Sequence, residues 1–267
     1  MLVHYLTNNA TNEGKAMRKT NKTSKKNPTG YIVYKGPSML DGAPIIMLLT
    51  TRTNNRKTGD MVQTWIIRED MSPLDASKKK LDSAICGNCP HKWSVGGACY
   101  VNLGQAPTSI YRAYKRGAYM DLTHPAATPL RNQILAKILR NRKVRLGAYG
   151  DPAAVPVRVL RDLVTFASGH TGYTHQMRHK NFDPEVLQYC MASTETAKTS
   201  INLWADKART FRIVHDITEL RPNEIECLSD SKGMSCADCM LCGGKSESVA
   251  GKPNIAIVVH GSRASKF

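Results

Sequence analysis

The chain has 267 residues, eight of them cysteine, and its 38 Lys and Arg against 21 Asp and Glu give a formal charge of +17. That length buries a sizeable core as one α/β domain or two small ones, so folding does not require a metal. No run of about 18 uncharged apolar residues occurs, which argues against a membrane-spanning helix, and MLVHYLTNNATNEGKAMRKT lacks the basic start, apolar run and cleavage site of a secretion signal, which predicts a cytoplasmic protein.

Residues 1–29 are expected to be a disordered basic arm, because 7–29 are rich in Asn, Thr and Lys and almost devoid of apolar side chains. Lys15, Arg18, Lys19, Lys22, Lys25 and Lys26 lie there against Glu13 alone, and the remaining excess is spread over residues 30–267. A positive excess of this size points to a polyanionic partner, nucleic acid or a phosphorylated substrate; a solvated basic face is the plainer alternative. Residues 30–267 are expected to form a single domain.

From Tyr31 the runs YIVYK, PIIMLLTT and MVQTWIIRE are rich in β-branched and aromatic residues, and RTNNRKTGD between the last two is turn-forming. These predict an antiparallel β segment. Ser72-Pro73 predicts a helix to about Leu81, with serine as cap and proline in the first turn. Two more helices are expected near Thr108–Arg116 and Pro129–Arg140. From residue 143 the pattern alternates. VRLGAY, TGYTH, TFRIV, EIECL and NIAIVV read as strands, VPVRVLRDLVTFA and TAKTSINLWADKA as helices, and PEVLQYCMA as a short helix passing into a strand. Such alternation indicates parallel βαβ pairing. The fold expected is a full or partial TIM-type barrel with an N-terminal antiparallel segment, and a doubly wound sheet is the alternative.

Active sites of parallel α/β folds lie at the carboxyl ends of the strands. Here those ends carry Gly150 and Asp151, His175, Ser193 and Thr194, His215 and Asp216, Cys227, and His260 and Gly261. Asp151, His175, His215, Asp216 and His260 are candidates for proton transfer; Gly150, Ser193, Thr194 and Gly261 are candidates for holding a cofactor. Helix capping alone would account for Asp151, Ser193 and Thr194. A metal set of His170, His175 and His179 matches neither one helix face nor a known metalloprotease spacing.

Seven cysteines fall in two groups, Cys86, Cys89 and Cys99 in loop 86–99, and Cys227, Cys236, Cys239 and Cys242 in loop 227–242. In a reducing compartment CxxC spacing signals metal binding more than disulfides. The CxxCxxC of residues 236–242 with Cys227 resembles a ferredoxin run and points to a four-iron cluster, with zinc as the alternative. The first group permits a Cys3His zinc knuckle with His91, or a three-cysteine cluster with one open iron. Cys190 reads as a buried core thiol.

The string CxxCP…CY, GAYGDPAAVP, GYTHQ, CxxCxLCGG and a closing HG resembles an uncharacterised family of bacteriophage-encoded cysteine-rich proteins, over most of the chain from about residue 28. More loosely it is similar to phage proteins described as radical-SAM-like barrels. That likeness implies a cluster at a barrel mouth and use of S-adenosylmethionine, although CxxxCxxC does not occur here. The function expected is an iron–sulfur, radical-SAM-like enzyme acting on an anionic substrate such as nucleic acid or a nucleotide. The alternative is a zinc-stabilised nucleic-acid-binding protein without catalysis.

Overall fold

The computed structural model describes residues 28–245 and 251–267, so nearly all of the basic arm expected over 1–29 lies outside the described residues. Strands β1 (Gly30–Pro37), β2 (Pro44–Thr50) and β3 (Val62–Arg68) form the expected antiparallel meander. Ile45 to Leu49 of β2 are wholly buried, which is why its sequence is an unbroken apolar run instead of an alternating one. The β1–β2 turn closes on Gly42 at φ +79°, a left-handed position that glycine occupies without strain.

Helix α1 (Pro73–Lys78) starts as its sequence implies: Ser72 Oγ accepts from the backbone N–H of Asp75, and proline fills the first turn. It is followed by α2 (Ser83–Cys86), α3 (Ala106–Lys115), the two-residue β4 (Met120–Asp121) and α4 (Thr128–Leu139). Strand β4 pairs in parallel with the outer edge of β1.

The alternating half contains β5 (Lys143–Tyr149), α5 (Val157–Phe166), β6 (Gly169–Thr174), β7 (Met191–Thr194), α6 (Ala197–Ala205), β8 (Thr210–Val214) and β9 (Glu224–Glu226). Short helices α7 (Leu228–Ser231) and α8 (Cys236–Cys239) precede β10 (Asn254–Val258). Among the described residues all strands join one ten-stranded sheet, ordered β4-β1-β2-β3-β5-β6-β7-β8-β10-β9, in which every pairing except β1–β2 and β2–β3 is parallel. Among the described residues no helix is long and apolar enough to cross a membrane.

The parallel register sorts side chains onto two faces. Val144, Leu146, His170, Thr194, Thr210 and Arg212 share one face with α5 and α6, where Thr194 meets Ser200 and Thr210 accepts from Trp204 Nε1. The same face buries an ion pair. Arg212 Nε and Nη2 reach the two carboxylate oxygens of Glu224 at 2.8 and 2.5 Å, with side chains 2% and 0% exposed. Arg145, Thr171, Tyr173, Met191, Phe211 and Ile255 occupy the other face.

His170, buried beside Tyr189, has its pKa pushed down by desolvation to about 4. An unfolded chain titrates this imidazole near pH 6.5, so between about 6.5 and 4 only the unfolded state takes up the proton. Stability should therefore fall as the pH drops through that window. Urea unfolding at pH 7 and 4.5 is expected to show a loss of about 2.5 kcal/mol that is missing in His170→Gln. Parallel pH profiles for the two proteins would refute this.

Candidate metal centre and cleft

The first cysteine loop follows α2, and its shape is set by close packing against the strand ends. Gly87 has φ +50°, and a Cβ there would lie 2.0 Å from Gln176 Oε1. The Gln176 amide explains the approach: it accepts from Asn88 N–H at 2.9 Å and donates to Cys86 C=O at 2.9 Å. Farther along, Cys99 N–H donates to His91 C=O at 2.9 Å, and Arg263 Nε donates to Gly97 C=O at 2.7 Å while its guanidinium stacks 4.3 Å over Trp93. The loop is thus fastened to β6 on one side and to the C-terminal segment on the other.

Asp151, at the end of β5, is buried and fully engaged. It accepts from Ala153 N–H at 3.0 Å, His175 N–H at 2.8 Å and Gln176 Nε2 at 3.1 Å. Its role is that of a strut joining the β5 and β6 ends to the cysteine loop. His175 is held by that strut, and its ring projects toward Glu195. The Nε2 atoms of His175 and His91 lie 3.3 and 3.5 Å from Glu195 Oε1, and the two rings meet edge to face at 5.5 Å. His91 Nε2, His175 Nε2 and Glu195 Oε1 are all sealed from solvent without a hydrogen-bond partner. They are the one set of three His, Cys, Asp or Glu donor atoms that lie within 4.8 Å of one another among the described residues.

Burial disfavours a charge on His175, but the Cys89 sulfur and the Glu195 carboxylate beside it outweigh that and push its pKa up to about 10. Burial likewise opposes ionising Glu195, and the two histidines hold its pKa down to about 2. Both shifts have one cause, the mutual attraction between these imidazoles and the negative groups beside them.

Glu195 is absent from the residues that sequence reading picked out. Strand β7 ends at Thr194, so Ser193 and Thr194 are strand residues, and Glu195 takes the strand-end position expected of them. Both are buried, and Thr194 Oγ1 bonds Ser200 Oγ at 2.7 Å. Gly150 and Gly261 adopt φ +82° and +93°. A Cβ on Gly150 would lie 2.6 Å from Ile66 C=O, so Gly150 serves backbone packing.

The remaining strand-end candidates divide. Exposed Asp216 closes a capping box with Glu219, which accounts for it structurally. His215 is exposed and rests 4.7 Å from the ring of Phe267, which in turn lies 5.6 Å from His91. His260 sits elsewhere, stacked on Tyr100 at 5.5 Å, with Nε2 3.5 Å from Lys57 Nζ. His170 lies on the helix-covered face, and with His175 and His179 it forms no compact donor set among the described residues.

The second cysteine group lies against the sheet face that carries Arg145 and Tyr173. Cys227 follows β9 and donates to Ala256 C=O at 2.8 Å, while Cys236 N–H and Ala237 N–H dock α8 onto Lys57 and Thr58 carbonyls at 2.9 and 3.1 Å. Cys242 is buried with Met191 and Ile255, and Cys227 packs against the same cluster. Burial, with the charges of Cys227, Cys236 and Cys239, overrides the Tyr173 hydroxyl and pushes the Cys242 thiol up to about 12. All eight cysteines are free; Cys190, just before β7, is the core thiol expected.

Between the β2–β3 hairpin and the segment after Cys99 lies a cleft of about 470 Å³, lined among others by Arg52, Gln63, Trp65, Tyr100, Gln105 and Arg145. Among the described residues no acidic side chain lines it. Arg145 donates to the Tyr100 hydroxyl, but its Nε is buried without a partner. The charge of Cys236 reaches it from the second cysteine group. In comparisons with known proteins, no family model, no curated protein and no solved structure matches this chain.

Proposed function

We propose that this chain is an iron–sulfur enzyme acting on an anionic substrate, a nucleotide or nucleic-acid strand, held in the Arg52–Arg145 cleft. One observation carries the reading: among the described residues Arg145 has a sealed Nε and no carboxylate partner, in a cleft with no acidic wall. A guanidinium whose Nε is sealed and unpartnered is under-satisfied, and a bound phosphate offsets that cost. Trp65 and Tyr100 offer flat surfaces for a base, and Gln63 and Gln105 offer amides for its edge.

Cys227, Cys236, Cys239 and Cys242 would hold the cluster. The donor types fit a thiophilic metal, since all four cysteines are free and Cys227 and Cys242 pack against one apolar cluster, and bound metal removes the cost of ionising Cys242. A cluster there supplies electron transfer within reach of the cleft. Curling of the parallel strands into a partial TIM-type barrel belongs to the same proposal, with the cleft and the second cysteine group on its inner face. A zinc-stabilised nucleic-acid-binding protein would use the same arginines without chemistry.

Anaerobically purified protein is expected to be brown, to contain about four irons per chain, and to lose them in Cys236→Ser. Arg145→Gln should weaken nucleotide binding by about tenfold or more, as expected for a charge-assisted contact worth 1.5–3 kcal/mol. A colourless zinc protein removes the cofactor part, and unchanged binding in Arg145→Gln removes the cleft part.

A further inference from the structure

We infer that His91, His175 and Glu195 form a mononuclear site for a divalent transition metal, separate from the four-cysteine group. The argument begins with donor chemistry. Two neutral imidazoles and a carboxylate are the set that binds zinc or ferrous iron, at about 2.0–2.2 Å from the ion. Donors at that range around a tetrahedral ion stand ~3.4 Å apart. Glu195 Oε1 stands 3.3 Å from His175 Nε2 and 3.5 Å from His91 Nε2.

Hydrogen bonding leaves the same atoms over. If this were only a carboxylate resting between two imidazoles, an aligned N–H···O bond would join at least one pair. Neither pair is aligned, and all three atoms are sealed from water without a partner. Unsatisfied buried polar atoms are rare and costly, and three converging on one point indicate a missing shared ligand.

The scaffold is also that of a held site. His91 comes from the cysteine loop, His175 from the end of β6 and Glu195 from the end of β7. Asp151 fixes the His175 backbone, Gln176 ties that strand end to the cysteine loop, and Phe267 covers the His91 ring. Cys89 lies beside His175, and its sulfur falls outside the compact set of three donors.

The test is total metal content and zinc affinity, by competition with a chromophoric chelator, for the full chain and for Glu195→Gln and His91→Gln. Glu195→Gln preserves side-chain volume while removing the charge, and His91→Gln reports from a different segment. Each folded variant is expected to lose one metal equivalent per chain, with zinc affinity at that position falling by more than roughly 100-fold. Metal held by Cys227, Cys236, Cys239 and Cys242 should be unaffected, so the result is independent of whether that group holds iron. Full metal content and unchanged zinc affinity in either folded variant would overturn the assignment.

Discussion

Glu224→Gln is expected to destabilise the protein by about 3 to 5 kcal/mol, measured as a shift in the urea midpoint at unchanged slope. Arg212 spans from β8 to the start of β9 and grips both oxygens of Glu224, while Arg221 N–H donates to the same carboxylate at 3.0 Å. A neutral amide would leave the guanidinium nearly as buried as before with half its partners gone. Arg212 Nη2 keeps only the Glu219 carbonyl at 2.8 Å, and Nη1 a distant Glu219 carboxylate at 3.8 Å. Removing both charges is a different experiment. Arg212→Met with Glu224→Leu leaves nothing uncompensated and should recover much of the loss, because a buried pair often contributes little beyond an apolar replacement. A single-mutant cost below about 1 kcal/mol, the range of ordinary surface changes, would sink the account.

Asp151→Ala is expected to cost about 3 kcal/mol, since three donors that now reach one buried carboxylate would be left unsatisfied. Its effect should extend beyond β5. Gln176 uses one amide to satisfy Asp151, Cys86 and Asn88, so freeing it should loosen the first cysteine loop. Hydrogen exchange at Cys86 to Cys89 would then rise more than at β2, whose strand is buried throughout. A proton-transferring Asp151 predicts the opposite signature, a stable and well-protected variant. Equal stability of Asp151→Ala and the parent protein would retire the strut reading.

Much of the fold was legible because its signals are local. An unbroken apolar run marks β2, a Ser-Pro pair marks α1, and alternation after residue 143 marks the parallel half. β4 escaped notice because two exposed residues paired to an edge leave no pattern. The site was harder to read. His175 stood out at a strand end, but Glu195 was hidden by a boundary: Thr-Glu-Thr reads as helix-capping chemistry, and Thr196 does cap α6. Ending β7 two residues early, at Ala192, gives Ser193 and Thr194 the strand-end place that Glu195 occupies. His91 was visible only as an accessory to neighbouring cysteines, whereas its Nε2 faces Glu195, 104 residues later. Spacing within a motif says nothing about donors that meet through sheet topology.

The clasp of Arg263 on Trp93 and Gly97 joins residues 166 positions apart. A chain synthesised from its N-terminus exposes Cys86, Cys89 and Cys99 long before Arg263 exists. The β1–β2–β3 meander needs no later residue for its pairing, but the first cysteine loop does. During synthesis those thiols therefore stand without this clasp, and the loop gains its final shape only once Arg263 has been made. On the proposal that His91, His175 and Glu195 hold a metal, its loading would follow closure of this clasp, and the supply of metal in the cell at that moment would decide which ion is taken.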